Sequence, residues 1–114
     1  MKKDNFIYKI CTIQEWKKAL TKGVFIGTAI DLKDNYIHFS TEQQIYKTLC
    51  LHFKGKKNLC LLKLSIKNLN IKWELSRNNE LFPHLYDKFK VKSVLAVYTI
   101  KVDVNRKFVL PSLK

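Results

Sequence analysis

Glycine is scarce in this sequence, and long apolar runs are missing. The three glycines, Gly23, Gly27 and Gly55, are too far apart to form the glycine-rich loop of a P-loop or Rossmann nucleotide site, so both classes are excluded. No apolar run reaches the roughly 18 residues that a membrane-spanning helix needs. Residues 1–5 lead into a mixed strand instead of a long apolar segment, and this predicts a cytoplasmic protein with no signal peptide.

Cysteine is also rare, and its positions argue against a structural metal centre. Cys11, Cys50 and Cys60 do not have the spacing of metal ligands, and each has apolar neighbours. The odd count and these neighbours predict buried free thiols in a reducing compartment. No third ligand accompanies the two candidate histidines, His38 and His84, and we predict no metal site.

What the sequence does contain is typical of one small folded domain spanning residues 1–114. Hydrophobic residues make up 46% of the 114 positions, enough to bury a real core. The predicted order is strand, helix, loop, strand, helix and then several strands. That order favours a small α+β domain.

The net charge of +13 has two explanations that the sequence does not separate. A basic surface is typical of proteins that bind RNA or another polyanion. The excess of positive charge is nearly all lysine, however, since Arg77 and Arg106 are the only arginines. Arginine binds phosphate better, because its guanidinium can donate two parallel hydrogen bonds. The charge could therefore reflect composition alone, since the lysines are spread along the chain instead of forming one cluster.

The first 35 residues predict a strand, a helix and a long loop. Residues 6–11 alternate as a strand, in which Lys9 either reaches solvent or points into a site. A capping box at Thr12 starts a helix that ends near Gly23, with an apolar stripe of Ile13, Trp16, Ala19 and Leu20. Residues 24–35 are predicted to be a mostly irregular loop, in which Asp31 is a turn or capping residue.

Residues 36–44 predict a strand that runs directly into a helix. Tyr36 to Phe39 alternate as a strand, and Ser40 with Gln43 forms a second capping box. An imidazole, two hydroxyls and the free N–H groups of a helix start would attract an anion there. The alternative is simply a well-capped helix. His52 lies on or beside the apolar stripe of the helix that follows Thr41, and this position predicts a structural role for it.

The second half of the chain predicts several strands joined by turns. Strands are expected at 58–66, 71–75 and 94–102, with an edge strand at 107–110. Residues 81–86 are predicted to be a loop, because Pro83 has no N–H to donate to a sheet.

Ten polar or aromatic residues are candidates for a site. His38, Glu74 and His84 offer acid–base groups and are the candidate catalytic residues. The candidate ligand-binding residues are Tyr8, Lys9, Ser40, Thr41, Gln43, Arg77 and Tyr86. Each has a simpler structural explanation, for example Arg77 as a solvated cation paired with Glu74.

Several pieces, in this order, resemble the domain of unknown function 952 family, a group of small, mainly bacterial proteins. The matching pieces are Ile7-Tyr8-Lys9-Ile10, Glu15-Trp16, Tyr36-Ile37-His38-Phe39-Ser40-Thr41 with Gln43, Leu59 to Leu62, Lys72-Trp73-Glu74 with Ser76-Arg77, Phe82-Pro83-His84-Leu85-Tyr86, and Phe108 with Leu110-Pro111. One departure is Asn35, where the family usually has glycine.

The resemblance implies a fold similar to the ADP-ribosyltransferase superfamily, with a split, mainly antiparallel sheet, two helices and a cleft that binds NAD. By residue type alone, His38, Ser40 and Glu74 match that superfamily's site. The first hypothesis is therefore an enzyme-like domain that binds NAD or a related phosphate-bearing nucleotide near His38 to Thr41. The alternatives are a non-catalytic module that binds RNA through lysines, and a protein-interaction domain with an idle cleft.

Overall fold

A computed structural model describes residues 5–113 of the chain. Residues 1–4 and residue 114 lie outside that range. The prediction that there is no signal peptide rests on residues 1–5, so it falls mostly outside the described residues. Within the described residues, the strands are β1 (Phe6–Thr12), β2 (Val24–Phe25), β3 (Ile37–His38), β4 (Leu59–Ser65), β5 (Ile71–Leu75), β6 (Leu81–Leu85), β7 (Phe89–Lys90), β8 (Val94–Val102) and β9 (Phe108–Val109). The helices are α1 (Ile13–Lys22), α2 (Ala29–Asp34) and α3 (Ile45–His52).

The largest sheet has four antiparallel strands in the order β1-β4-β8-β9, and β4 is buried on both faces. Alternate residues of β4 enter two different apolar cores, because successive side chains of a strand point to opposite faces. Leu62 and Leu64 join the core that contains Ala19 of α1. Leu59 and Leu61 join the core that contains Ile45 and Leu49 of α3.

A second, three-stranded sheet has the order β3-β6-β5 and is joined to the first sheet by the segment after β3. The N–H of Phe39 donates to the carbonyl of Pro83 at 3.0 Å. Ser40 and Tyr8 exchange two backbone hydrogen bonds of 2.8 Å, which connect this segment to β1. The predicted α+β class with a mainly antiparallel sheet is confirmed, with α2 as an additional short helix.

The prediction of a loop at 81–86 is wrong, since Leu81–Leu85 is the central strand β6. Antiparallel pairing points the N–H and C=O of one residue to the same neighbour. The carbonyl of Pro83 faces Phe39, just beyond the two-residue strand β3. An N–H at position 83 would therefore point to the end of the ladder between β3 and β6. Its absence removes no hydrogen bond between β6 and β5.

The loop predicted for residues 24–35 is instead largely regular. It contains β2, which pairs with β7 and stacks Phe25 on Phe89, and the short helix α2. Thr28 and Asp31 form a capping box at the start of α2, as the capping interpretation of Asp31 expected. The helix ends at Asn35 with φ of 68°, a left-handed conformation that Asn tolerates better than most residues.

Four smaller predictions need correction. Leu20 and Cys50 are exposed, as is His52, which was expected on a buried stripe. The stripe of α3 that is buried consists of Ile45 and Leu49. The capping interaction before α3 is shifted by one residue, because the Gln44 side chain, not Gln43, accepts from a capping N–H, that of Thr41 at 3.0 Å.

Candidate functional site

His38 and His84 are cross-strand partners on β3 and β6, and their rings lie on the same face of the three-stranded sheet. Their ring centroids are 5.6 Å apart at an interplanar angle of 70°. Tyr36, just before β3, and Tyr86, just after β6, extend this set on the same face, two residues from His38 and His84. The ring of Tyr36 lies 4.5 Å from His38, 4.2 Å from His84 and 5.1 Å from Tyr86. We call these four residues the ring cluster.

A carboxylate on β5 holds one side of the ring cluster. Nδ1 of His84 lies 2.6 Å from Oε1 of Glu74, and the hydroxyl of Tyr86 donates to the same oxygen at 2.8 Å. The hydrogen bonds from His84 and Tyr86 lower the pKa of Glu74. The same hydrogen bond to Glu74 raises the pKa of Tyr86. Since a carboxylate only accepts, Nδ1 of His84 carries a proton, and Nε2 presents a lone pair when the ring is neutral.

A second carboxylate, Asp31 of α2, holds His38 and Lys9. Asp31 is 2% exposed and Lys9 is 4% exposed, and Nζ of Lys9 lies 2.7 Å from Oδ2 of Asp31. Nδ1 of His38 lies 2.6 Å from Oδ1 of Asp31, and Nε2 of His38 lies 3.0 Å from Oδ2 of Asp34. Both nitrogens of His38 donate to carboxylates at once only when the ring is protonated.

The position of Lys9 settles the choice left open by the sequence. Its ammonium group does not reach solvent but bonds Asp31 and the carbonyl of His38. Burial alone would raise the pKa of Asp31, but the hydrogen bond from His38 and the charge and hydrogen bond of Lys9 together lower it. The buried ion pair between Lys9 and Asp31 therefore holds His38 in position from below. Lys9 itself lies beneath the surface of the site.

Arg77 lies at the opposite end of the same face from Tyr86. Its guanidinium carbon is 4.8 Å from the centre of the Phe82 ring, and Nη1 donates to Oγ1 of Thr48 at 3.3 Å. Within residues 5–113, the buried Nε and Nη2 atoms of Arg77 have no hydrogen-bond partner. The expected ion pair with Glu74 is not among the salt bridges of this part of the chain. Arg77 therefore has two buried donors that no described group satisfies.

The other predicted ligand-binding residues are not members of the ring cluster. Tyr8 is 2% exposed and packs in the core beneath α3. Ser40 and Thr41 are buried at 4% and 7% exposure; the Ser40 hydroxyl lies 3.4 Å from that of Thr48, and the Thr41 N–H binds Gln44. Gln43 is exposed. The backbone and hydroxyl groups expected to bind an anion at 40–41 are thus largely engaged within the protein.

Sequence reasoning missed Tyr36 and Asp34 as members of the site. Tyr36 had a usable signal, because it alternates with His38 and must share its face. Asp34 lies one helical turn after Asp31, a spacing that places two carboxylates side by side. The missing information was that residues 29–34 form a helix.

Two open depressions elsewhere on the surface contain none of these groups. One, of about 400 Å³, is lined by Thr12, Ile13, Gln14, Lys57 and Asn58. The other, of about 490 Å³, is lined by Glu42, Leu110, Pro111, Ser112 and Leu113. Since neither brings acid–base groups together, we assign the candidate site to the open sheet face at the ring cluster.

Two further observations concern the described residues as a whole. No three or more His, Cys, Asp or Glu side chains in residues 5–113 are grouped to hold a metal ion. No helix within that range is long and apolar enough to cross a membrane.

The fold and site together define a small α+β domain with a curled, mainly antiparallel sheet and a histidine–carboxylate cluster. The chain belongs to the family described as protein of unknown function (DUF952), whose model matches residues 10–97. It is similar to the crystal structure of protein CC0527 from Caulobacter crescentus, with 37% identity, a TM-score of 0.86, and coverage of 91% of this chain and 93% of that one. The solution structure of CC0527 gives 38% identity, a TM-score of 0.80 and 90% coverage of both chains. No curated protein matches the sequence.

Proposed function

We propose that the chain binds a nucleotide-like, phosphate-bearing small molecule across the face between Tyr86 and Arg77. The observation that carries the proposal is the histidine pair, in which each ring is held at Nδ1 by a carboxylate 2.6 Å away. Such pairs fix the tautomer and orientation of an imidazole, as acid–base chemistry requires.

The length and chemistry of the face support this class of ligand. Phe82, His84 and Tyr86 are successive same-face residues of the β6 segment, so the face is roughly 13 Å long at 3.3 Å per residue. Tyr36 and Tyr86 offer aromatic surface at one end, where a base or nicotinamide ring would stack. Nε and Nη2 of Arg77, at the other end, are unpaired but buried, so the guanidinium would turn outwards to bind phosphate oxygens. The net charge of +13 favours an anionic ligand.

The middle of the face would then meet the ribose. Glu74, whose side chain is 39% exposed, would lie beside a ribosyl C1′ and stabilise positive charge that develops there. Nε2 of His84 would exchange a proton with a ribose hydroxyl or an attacking water. The His84 side chain is 5% exposed, so the ring of Tyr36 would turn aside to admit the ligand.

NAD is the first ligand to test, as a substrate. We include in this proposal that the chain is related to the ADP-ribosyltransferase superfamily, as the resemblance of the motifs implies. The unpaired guanidinium nitrogens and the carboxylate-bound histidine suit the pyrophosphate and ribose of such a molecule. In the hydrolytic reaction, water would add to the ribosyl C1′, nicotinamide would leave, and His84 would take the proton of the water.

Calorimetry with NAD, ADP-ribose and a short RNA at low and high salt tests binding. Arg77→Gln should raise the Kd for the nucleotides about tenfold or more, because a charge-assisted hydrogen bond is lost. Lys88→Gln removes the same charge at an exposed position and should leave the Kd nearly unchanged. Binding of RNA alone, with a steep salt dependence and no effect of Arg77→Gln, would favour the lysine-based alternative instead.

The chemical step has a separate test. Nicotinamide release from NAD can be followed by proton NMR for the wild type and Glu74→Gln. We expect release by the wild type and a loss of at least about a hundredfold in the variant, in line with removal of a preorganised electrostatic group. Tight binding without release would limit the function to recognition.

A further inference from the structure

We propose that strand β5 is a homodimer interface, at which two copies of this chain pair through their β5 strands about a two-fold axis next to Trp73. β5 is the outer strand of the three-stranded sheet, and its only described strand partner is β6. An unpaired edge presents a row of N–H and C=O groups that another strand can bind. The strand order therefore leaves one side of Ile71–Leu75 available.

The hydrogen-bond pattern identifies which residues point outwards. The N–H of Ser76 donates to the carbonyl of Glu80 at 2.9 Å, so Ser76 faces the β6 side, and Lys72 and Glu74 share that direction by alternation. Trp73 pairs with Pro83, whose carbonyl faces away from β5. The backbone groups of Ile71, Trp73 and Leu75 therefore point to the free edge.

The sequence of β5 is self-complementary in one antiparallel register. When Trp73 lies opposite Trp73 of the second copy, all three outward-facing residues of each strand form hydrogen-bonded pairs, with Ile71 opposite Leu75. The same register places Lys72 of each copy opposite Glu74 of the other. Opposite charges directly across a pair of strands are stabilising, and here the pair occurs twice by symmetry.

Exposed apolar side chains on and next to β5 also suit pairing with a second copy of the chain. Trp73, Leu75 and Leu81 are 37%, 66% and 51% exposed on the face opposite the ring cluster. Pairing about Trp73 would bring this apolar surface next to its own copy, which buries apolar area on both. The two three-stranded sheets would become one six-stranded sheet. Lys72 of the second copy would lie beside Glu74, so the interface would border the candidate site.

Sedimentation velocity over roughly 10 to 500 μM protein tests the dimer and its register. The wild type should dimerise, and Lys72→Glu should raise the dimer dissociation constant about tenfold or more by placing Glu opposite Glu74 twice. Lys18→Glu makes the same charge change on the exposed side of α1 and should leave it unchanged. A wild type that is monomeric throughout, or a Lys72→Glu variant that dimerises like wild type, overturns the proposal.

Mixing two variants gives a sharper test of the register. Glu74→Lys should dissociate alone, like Lys72→Glu, but an equimolar mixture of the two should form a heterodimer because both cross-strand pairs are then opposite in charge. A mixture that stays monomeric while both variants remain folded by circular dichroism overturns this register.

Crosslinking does not depend on Glu74 and covers the case in which Glu74→Lys fails to fold. In a Cys50→Ser background, Trp73→Cys should form a disulfide-linked dimer with oxidised glutathione, because directly opposed Cα atoms lie about 5.5 Å apart. Leu75→Cys is the matched control, since its two copies would be roughly 13 Å apart. Equal crosslinking of the two variants, or none of Trp73→Cys, overturns the register.

Discussion

Gly27 and Asp31 approach so closely that a Cβ atom on Gly27 would lie 2.8 Å from the Cβ of Asp31. Gly27 also has φ of 123°, a conformation that side chains of L-residues rarely adopt. The capping box of α2 and the buried ion pair with Lys9 both depend on the position of Asp31. The absence of a side chain at Gly27 is therefore a condition for the arrangement beneath His38.

Gly27→Ala should destabilise the protein by roughly 2–5 kcal/mol, the sum of backbone strain and a displaced Asp31. Gly55→Ala is the matched control, since Gly55 has φ of 80° but nothing within 4 Å of the added atom. Only backbone strain, about 1 kcal/mol, is expected there. Urea unfolding of both variants measures the difference, and equal losses would show that contact with Asp31 is unimportant.

Asp31 should make the stability fall at acid pH. Its pKa is lowered in the folded protein from a usual value of 3.8, so the unfolded chain takes up the proton first. The stabilisation is fully present well above pH 3.8 and is lost as the pH falls through and below that value, with a limiting slope of about 1.4 kcal/mol per pH unit. Urea unfolding of the wild type and Asp31→Asn between neutral and acid pH measures it. A slope in Asp31→Asn equal to that of the wild type would contradict the assignment.

Glu74→Gln should lower the pKa of Tyr86 towards its usual value of 10.0, because the hydrogen bond to the carboxylate and the negative charge that raise it are both removed. Ultraviolet titration of tyrosinate measures this change. Tyr86→Phe identifies the transition, since burial raises the pKa of Tyr36 as well. The hydrogen bond would be absent in solution if the Tyr86 transition were the same with and without Glu74.

A thiol reagent should modify one cysteine in the native protein and three in the unfolded chain. Cys50 is exposed, whereas Cys11 and Cys60 are buried on adjacent strands with their sulfur atoms 3.6 Å apart. The hydrogen bond with Cys60 and burial raise the pKa of the Cys11 thiol, which slows its reaction further. Cys50→Ser is the control and should leave no fast-reacting thiol; a count below three after unfolding without reductant would reveal a disulfide.

The sequence by itself determined the fold class, the first helix and most of the strands. Local patterns suffice for these, because a capping box at Thr12, a left-handed cap at Gly23 and period-two alternation act within a few residues of the chain. The same alternation placed His38 on one face of its strand. The family resemblance, which also rests on local motifs, was confirmed for the same reason.

Only the tertiary structure decided what these side chains contact. Pro83 argued for a loop, yet β6 accepts it because the missing N–H faces the end of the β3 ladder. Lys9 had two explanations until Asp31, 22 positions away, was found as its partner. His38 and His84 form a pair because β3 and β6 align them across 46 positions of chain. Such long-range pairings depend on strand order and register, which no local pattern of residues encodes.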